Sequence, residues 1–240
     1  MNILIIGGSG GIGQALIAHF SHAYPDANIY ATYHTTSPIN IPHTGNTSGV
    51  VWLQADITQE GDITHLAQVI PPLTLLINAA GLLHQPDQGP EKSIAHVDGD
   101  FFMTNLSTNV LPTVLLAKHF APHLKASPRS HFIALSARVG SIEDNRAGGW
   151  ISYRCAKAAL NMALKTISIE WHYKLPRCCV FAFHPGTTDT ALSQPFQRNV
   201  PTGKLFSPEF VAHGLAQLIH TTGPKDSGQF FSYDGQVIPW

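Results

Sequence analysis

NILIIGGSGGIGQA, running from Asn2 to Ala15, carries three signals in succession. Ile3, Leu4, Ile5 and Ile6 form a short apolar run that stops at a cluster of glycines. An amphipathic segment then begins at Ile12 and continues through Leu16, Ile17 and Phe20. This pattern predicts a buried strand, a tight turn and a helix. Gly7, Gly11 and Gly13 are spaced so that backbone without Cβ atoms can come close to a ligand. The helix that follows turns free N–H groups and the positive end of its dipole into the same turn. A pyrophosphate is the ligand such a turn suits, with Ser9 and Ile12 at its rim.

At 240 residues the chain fits one large α/β domain over 1–240, a length that would also hold two small ones. Lys and Arg total 14 against 15 Asp and Glu, so no basic excess points to nucleic acid or an anionic membrane. No apolar run approaches the ~18 residues of a spanning helix, and the N-terminal run is too short for a signal sequence. A cytoplasmic protein without a membrane span is the expectation. Cys155, Cys178 and Cys179 form no disulfide framework. The 14 histidines call for a check on metal. His119 and His123 stand i,i+4 on an expected helix, but no third ligand accompanies them. A solvated helix face is expected there, and no metal site.

Apolar runs alternate with helical patterns along the whole chain. Strands are expected at 28–33, 50–54, 73–77, 131–135, 178–183 and 228–233, besides the first. Helices are expected at 57–70, 98–110, 112–125, 150–173 and from Ser207 to about Thr221. Pro and Gly mark a loop at 82–97. His34–Gly49 reads as a polar loop beside the adenosine end of the ligand, and 187–206 as a patternless, lid-like segment. The fold class this implies is α/β, a Rossmann-type doubly wound parallel sheet of seven strands with helices on both faces. Ligands of such sheets sit at the carboxyl ends of the strands, near the switch in strand order. Asp56, Asn78–Gly81, Ser136–Ser141 and His184–Thr190 fall there.

Tyr153 and Lys157 are four apart at the start of the longest helical pattern, on one face. A free phenol ionises near pH ~10, too high for proton exchange at neutrality, and a neighbouring ammonium favours the phenolate. Such a pair can pass a proton to a carbonyl oxygen or take one from an alcohol.

The glycine turn, Asp56, N-A-A-G at 78–81, Asn109, a serine before a Gly-containing loop, Y-x-x-x-K and P-G-x-x-x-T occur in this order. Together they resemble the short-chain dehydrogenase/reductase family over essentially the whole length. LSARVGSI, YRCAKAALNM and the tail DGQVIPW resemble its C-factor-like branch, related to sniffer-type carbonyl reductases. The resemblance implies a nicotinamide dinucleotide cofactor held by Gly7, Ser9, Gly11, Ile12, Gly13, His34, Asp56, Ile57, Asn78, Ala79, Ala80, Gly81, Pro185, Gly186, Thr188 and Thr190. Tyr153 is then the acid/base, and Lys157 also binds the nicotinamide ribose. Asn109 matches the asparagine that holds a water in the proton relay. Ile6 replaces the family's threonine in the turn, at the loss of a hydroxyl contact.

The family's catalytic serine usually stands three residues before the loop glycine, and counting back from Gly140 lands on Ala137. Ser136 is the nearest candidate for that catalytic hydroxyl, and Ser141 is the other within reach. At the end of the second strand, Thr32-Tyr33-His34-Thr35 holds no carboxylate for a ribose 2′-OH, which tips the cofactor toward NADP(H) over NAD(H). The expected function is oxidoreduction of a small-molecule carbonyl or alcohol. The alternative is a C-factor-like signalling or regulatory protein that binds NAD(P) with little turnover. Family analogy adds a homodimer or homotetramer built through 98–125 and 150–173.

Overall fold

Residues 1–35 and 49–240 are described in the computed structural model. β1 (Asn2–Ile6) lies at the middle of the molecule because its side chains are apolar on both faces. Ile3 and Ile5 point to one layer of helices, and Leu4 and Ile6 to the other. β2 (Asn28–Tyr33) and β3 (Val50–Gln54) pair outward on one side of it. β4 (Leu75–Asn78), β5 (Ser130–Leu135) and β6 (Cys178–His184) follow on the other. The last sheet strand, Gln229–Ser232, closes the order β3-β2-β1-β4-β5-β6 at the far edge, and every pairing in this seven-stranded sheet is parallel. The switch in order falls between β1 and β4, so the carboxyl ends of these two strands open a crevice.

α1 (Gly11–Ala23) covers one face through Leu16, Ile17 and Phe20, together with the last helix, Pro208–Thr221, through Val211 and Leu215. The other face carries α2 (Glu60–Val69), α4 (Leu111–Lys125) and α5 (Ile151–Lys174). α3 (Gly99–Asn109) packs on α5 and α4. Ser207 caps the last helix by accepting the Phe210 N–H, with Pro208 at its first position, as the sequence suggests.

Two expectations need correction. His119 and His123 do not lie on a solvated face. They are half-buried against α2, where His119 meets Glu60 at 2.8 Å and His123 the Ala67 carbonyl at 2.9 Å. The segment 187–206 is not patternless. Its ends form two short parallel strands, β7 (Thr187–Thr188) and β8 (Leu205–Phe206), around a 3-10 turn at Gln194–Asn199. With these numbered, the last helix is α6 and the last sheet strand β9. The polar loop expected over 34–49 lies outside the described residues except at its two ends. Among the described residues no helix is long and apolar enough to cross a membrane, and no three His, Cys, Asp or Glu could share a metal ion.

Candidate active site

The turn after β1 is shaped by two positions that tolerate no side chain. Gly7 has φ +73°, and a Cβ there would lie 2.9 Å from the Ala80 amide nitrogen. A Cβ on Gly13 would come within 2.2 Å of the Gly7 carbonyl. Gly10 precedes α1 in extended backbone and supplies no side-chain cap, so amides of the first turn remain free to meet an anion. Ser9 uses its carbonyl to accept the Gln14 amide, which holds the rim of the turn. The hydroxyl missing at Ile6 is supplied from elsewhere: buried Thr32 of β2 accepts the Gly7 N–H at 2.9 Å.

At the ends of β2 and β3, His34 and Asp56 come together at 3.8 Å. The hydroxyl and amide of Thr58 bond the Asp56 carboxylate and hold it below the usual carboxylate range. Ile57, next in sequence, packs into the core on the α2 side.

β4 runs into Asn78, whose carboxamide is buried between the Thr113 hydroxyl and the Ala80 amide. Asn109 ends α3 and is also buried. It grips the backbone of Leu82 from both sides, accepting its N–H at 3.0 Å and donating to its carbonyl at 2.9 Å. Gly81 lies between Asn109 and Lys157; a Cβ on it would sit 3.2 Å from the Asn109 oxygen and 3.4 Å from Lys157 Nζ.

Tyr153 and Lys157 occupy the first two turns of α5, and both are buried. Lys157 Nζ donates to the Leu135 carbonyl at the end of β5 (3.0 Å) and stands 5.5 Å from the Tyr153 ring centroid. Burial pushes the phenol well above its ordinary value and pulls the ammonium down to about 8.

Ser136 follows β5 directly. Its hydroxyl is buried and donates to Asn161 Oδ1 of α5 at 2.6 Å. Asn161 in turn donates to the Gly140 carbonyl. Ala137 is extended (φ −148°, ψ 145°), so the strand's alternation continues one residue further: Ser136 bonds α5 while Ala137 lines the cavity beside Tyr153. Ser141 is likewise engaged, accepting the Asp144 amide. The Ser136 hydroxyl thus bridges β5 and α5, while the residue also borders the cavities that Tyr153 lines.

The loop after β6 closes the site from above. Gly186 has φ +73° and lies against Phe206, and Thr188 is buried with its hydroxyl toward the Gly186 carbonyl. The Thr190 methyl is the first atom that a Cβ on Gly11 would meet, at 2.7 Å. Two cavities result. One, of about 300 Å³, runs from Gly7–Gly13 past Ala79–Gly81 to Lys157, Pro185 and Thr190. The other, of about 220 Å³, is walled by Ala137, Val139, Trp150, Leu192 and Phe196. Ile12, Ser136, Tyr153, Pro185, Thr190 and Leu192 border both, so the two cavities adjoin with Tyr153 in the shared wall. His84, Phe196, Trp150 and Tyr153 form a run of ring contacts at 5.2–6.5 Å along the second cavity. His34 and Asp56 border neither. A larger cavity, of about 720 Å³, lies between α1 and α6 and contains none of these residues.

Sequence reasoning missed Trp150 and Phe196, and marked His184 only as the start of the His184–Thr190 stretch. His184 stands just before Pro185 and accepts the Arg138 N–H on Nδ1 (3.2 Å); burial holds its pKa at about 4. Its place next to P-G was the one available signal. Trp150 and Phe196 carry no motif.

A family model described as short chain dehydrogenase matches residues 1–201. The C-signal of Myxococcus xanthus is 28% identical over 169 residues, which span 70% of this chain and 93% of that protein. The 1-hydroxy-2-glutathionyl-2-methyl-3-butene dehydrogenase of Rhodococcus sp. (strain AD45) is 27% identical over 191 residues, 77% of this chain and 78% of that one. Among solved structures, the carbonyl reductase Sniffer of D. melanogaster matches with a TM-score of 0.84 at 24% identity, covering 100% of this chain and 99% of that chain. NADPH-bound carbonyl reductase from chicken fatty liver matches at 0.82 and 23% identity, over 100% and 94%.

Proposed function

This chain belongs to the short chain dehydrogenase family, and on that premise we propose that residues 1–240 act as one nicotinamide-dependent oxidoreductase domain converting an apolar carbonyl compound to its alcohol. The observation that carries this reading is that two cavities share Tyr153 in their walls, with buried Lys157 lining the first of them.

The residues fit a dinucleotide. Side chains are absent at Gly7, Gly11 and Gly13, where a Cβ would collide with backbone or with Thr190, and the first-turn amides of α1 remain free beside them. Gly7 to Gly13 would hold the diphosphate, Ala79 to Gly81 and Lys157 the ribose on the nicotinamide side, and Pro185 to Thr190 the nicotinamide end. His34, Asp56 and Ile57 would border the adenosine. When bound, the dinucleotide supplies the hydride. The chain's own residues manage the proton. A desolvated phenol stays protonated at neutral pH, which suits Tyr153 to donate to a developing alkoxide. The Lys157 ammonium, fixed on the Leu135 carbonyl, stabilises the phenolate left behind. Asn109 fixes Leu82 and so the edge of the cavity, in keeping with a place beside the proton path. We assign Ser136 to the β5–α5 contact, with Tyr153 the main donor to the substrate oxygen. The aromatic wall favours an apolar substrate.

NADP(H) is favoured over NAD(H) because β2 ends without a carboxylate and its last turn carries His34. The chicken enzyme of the same fold is described with NADPH. Exposed Met103, Val114, Met162 and Ile169 on α3, α4 and α5 support a homodimer or homotetramer through those helices. Fluorescence titration with NADPH and NADH, followed by a panel of carbonyl compounds, tests the reading. A folded protein that binds neither dinucleotide defeats it.

A second reading rests on Ala137 and on the likeness to C-signal: dinucleotide binding with little turnover, in a signalling or regulatory role. NADPH consumption well above background on any carbonyl of the panel counts against it.

A further inference from the structure

The helix that carries Tyr153 begins without a cap of its own. Trp150, at its N-cap, is left-handed (φ 54°), follows two glycines that also have positive φ, and offers no side-chain bond. The first turn of α5 holds no acidic residue. Its first amides therefore lack both an internal acceptor and a local partner.

Glu91 supplies what is missing, from 61 positions earlier in the chain. It lies in the segment between β4 and α3 and is only 5% exposed. One carboxylate oxygen accepts the Ser152 N–H at 3.2 Å, and the other accepts the Ser152 hydroxyl. The Glu91 carbonyl accepts the Trp150 N–H at 2.5 Å. The fit is close along the backbone as well: a Cβ on Gly149 would approach the Lys92 and Glu91 carbonyls at 3.3 and 3.5 Å. Among the described residues no Lys, Arg or His pairs with this carboxylate. A buried charge without a counter-ion is costly, and the N-terminus of a 24-residue helix is what offsets it here.

We infer that Glu91 is a positioning residue for the reaction: it fixes the first turn of α5 and so sets where the Tyr153 hydroxyl stands. Ser152 is the neighbour of Tyr153 and is fully buried, so a shift of its backbone moves the phenol directly. The same segment is fastened at its other end, where Asn109 grips Leu82. The stretch 82–91, which carries Leu83 into the wall of the second cavity, is thus held at both ends by residues beside the catalytic pair. A displacement of order 1 Å at a reacting group can cost about 10²-fold in rate.

This inference rests on the reading of Tyr153 as proton donor, and its test separates the two. Amide hydrogen exchange on the full chain reports the clamp without any turnover. Glu91→Ala is expected to speed exchange at the Ser152 amide at least about tenfold, because no other acceptor replaces the carboxylate. With an active carbonyl substrate, kcat is expected to fall by about tenfold or more while KM for NADPH stays within about twofold. Glu91→Gln, whose Oε1 can still accept the Ser152 N–H while its Nε2 donates to the Ser152 hydroxyl, is expected to restore most of kcat. Should Glu91→Ala fail to fold, Glu91→Gln and Ser152→Ala carry the comparison, Ser152→Ala losing the hydroxyl contact and keeping the amide one. Unchanged exchange at Ser152 overturns the clamp. Faster exchange with unchanged kcat overturns its role in the reaction. A wild-type protein that reduces nothing on the panel defeats the proposed function, while the exchange result still decides the clamp.

Discussion

The Lys157 ammonium stands 5.5 Å from the centroid of the Tyr153 ring, with both side chains buried. Desolvation acts on them in opposite directions, raising the phenol and lowering the ammonium to about 8. At neutral pH the phenol is therefore protonated while Lys157 is still mostly an ammonium, and the pair is set for proton donation. Tyr153→Phe removes only the proton-bearing atom. It is expected to lower kcat by about 10²–10⁴, with the NADPH dissociation constant changed no more than about threefold. Stopped-flow turnover beside fluorescence titration checks this, and a variant with full rate removes Tyr153 from the mechanism. Lys157→Met is expected to lose both rate and affinity, because Lys157 also borders the cavity that runs from the glycine turn.

Ala137 and Ser136 both border the cavity, but Ala137 has no hydroxyl and that of Ser136 is turned to Asn161. Ala137→Ser places a donor there, and a gained transition-state hydrogen bond is expected to raise kcat by about tenfold or more. Ser136→Ala is expected to act differently, lowering the melting temperature through the orphaned Asn161 and changing kcat by less than about tenfold. If Ser136→Ala instead removes about 10²-fold or more of the rate with stability intact, Ser136 reaches the substrate after all.

Acid stability follows from two histidines, buried His131 and half-buried His184. His131 lies inside β5, its Nε2 facing the Thr222 carbonyl, and its pKa is held at about 4; His184 at the end of β6 is held at about 4 as well. Both titrate near 6.5 once unfolded. Between those values the unfolded chain binds the extra protons. Stability contributed by the neutral rings is therefore full above pH 6.5 and is lost as the pH falls toward 4, by at most roughly 3 kcal/mol per ring. Urea midpoints from pH 7 to 4 measure the slope. His131→Gln is expected to flatten it, and identical slopes in both proteins refute the assignment.

What the sequence could show follows from which signals are local. The apolar run in β1, the Pro/Gly punctuation and the Ser207-Pro208 cap are local, and the elements they mark stand where expected, to within a few residues. The Tyr153–Lys157 pair was legible because helical spacing alone puts both on one face. Partnerships across the fold were not. Thr32 supplies the turn's missing hydroxyl from a neighbouring strand, Glu91 caps a helix 61 residues away, and Phe196 reaches Trp150 from the far loop. No periodicity announces such contacts, since they arise from sheet order and loop closure. His119 and His123 misled for the same reason: their spacing says which helix face they share, and only packing shows that α2 covers it.

The contact between Gly11 and Thr190 joins the two ends of the site, the turn after β1 and the loop after β6. A methyl added at Gly11 would meet the Thr190 methyl at 2.7 Å, well inside ordinary contact, and Thr190 Cβ at 3.2 Å, so the obstacle is side chain rather than backbone. Gly11→Ala is therefore expected to push the 186–190 loop outward and weaken NADPH binding by about tenfold, close to 1.4 kcal/mol. Thr190→Ser deletes the obstructing methyl and keeps the hydroxyl that bonds the Thr188 carbonyl. The double variant is expected to recover most of the affinity, giving a coupling energy of about 1 kcal/mol in a double-mutant cycle read by fluorescence titration. Additive losses would mean that the two segments are not in contact when the dinucleotide binds. By contrast, Gly13→Ala meets the Gly7 carbonyl at 2.2 Å, where only backbone could yield. No side-chain deletion should rescue it, which makes it the control for the cycle.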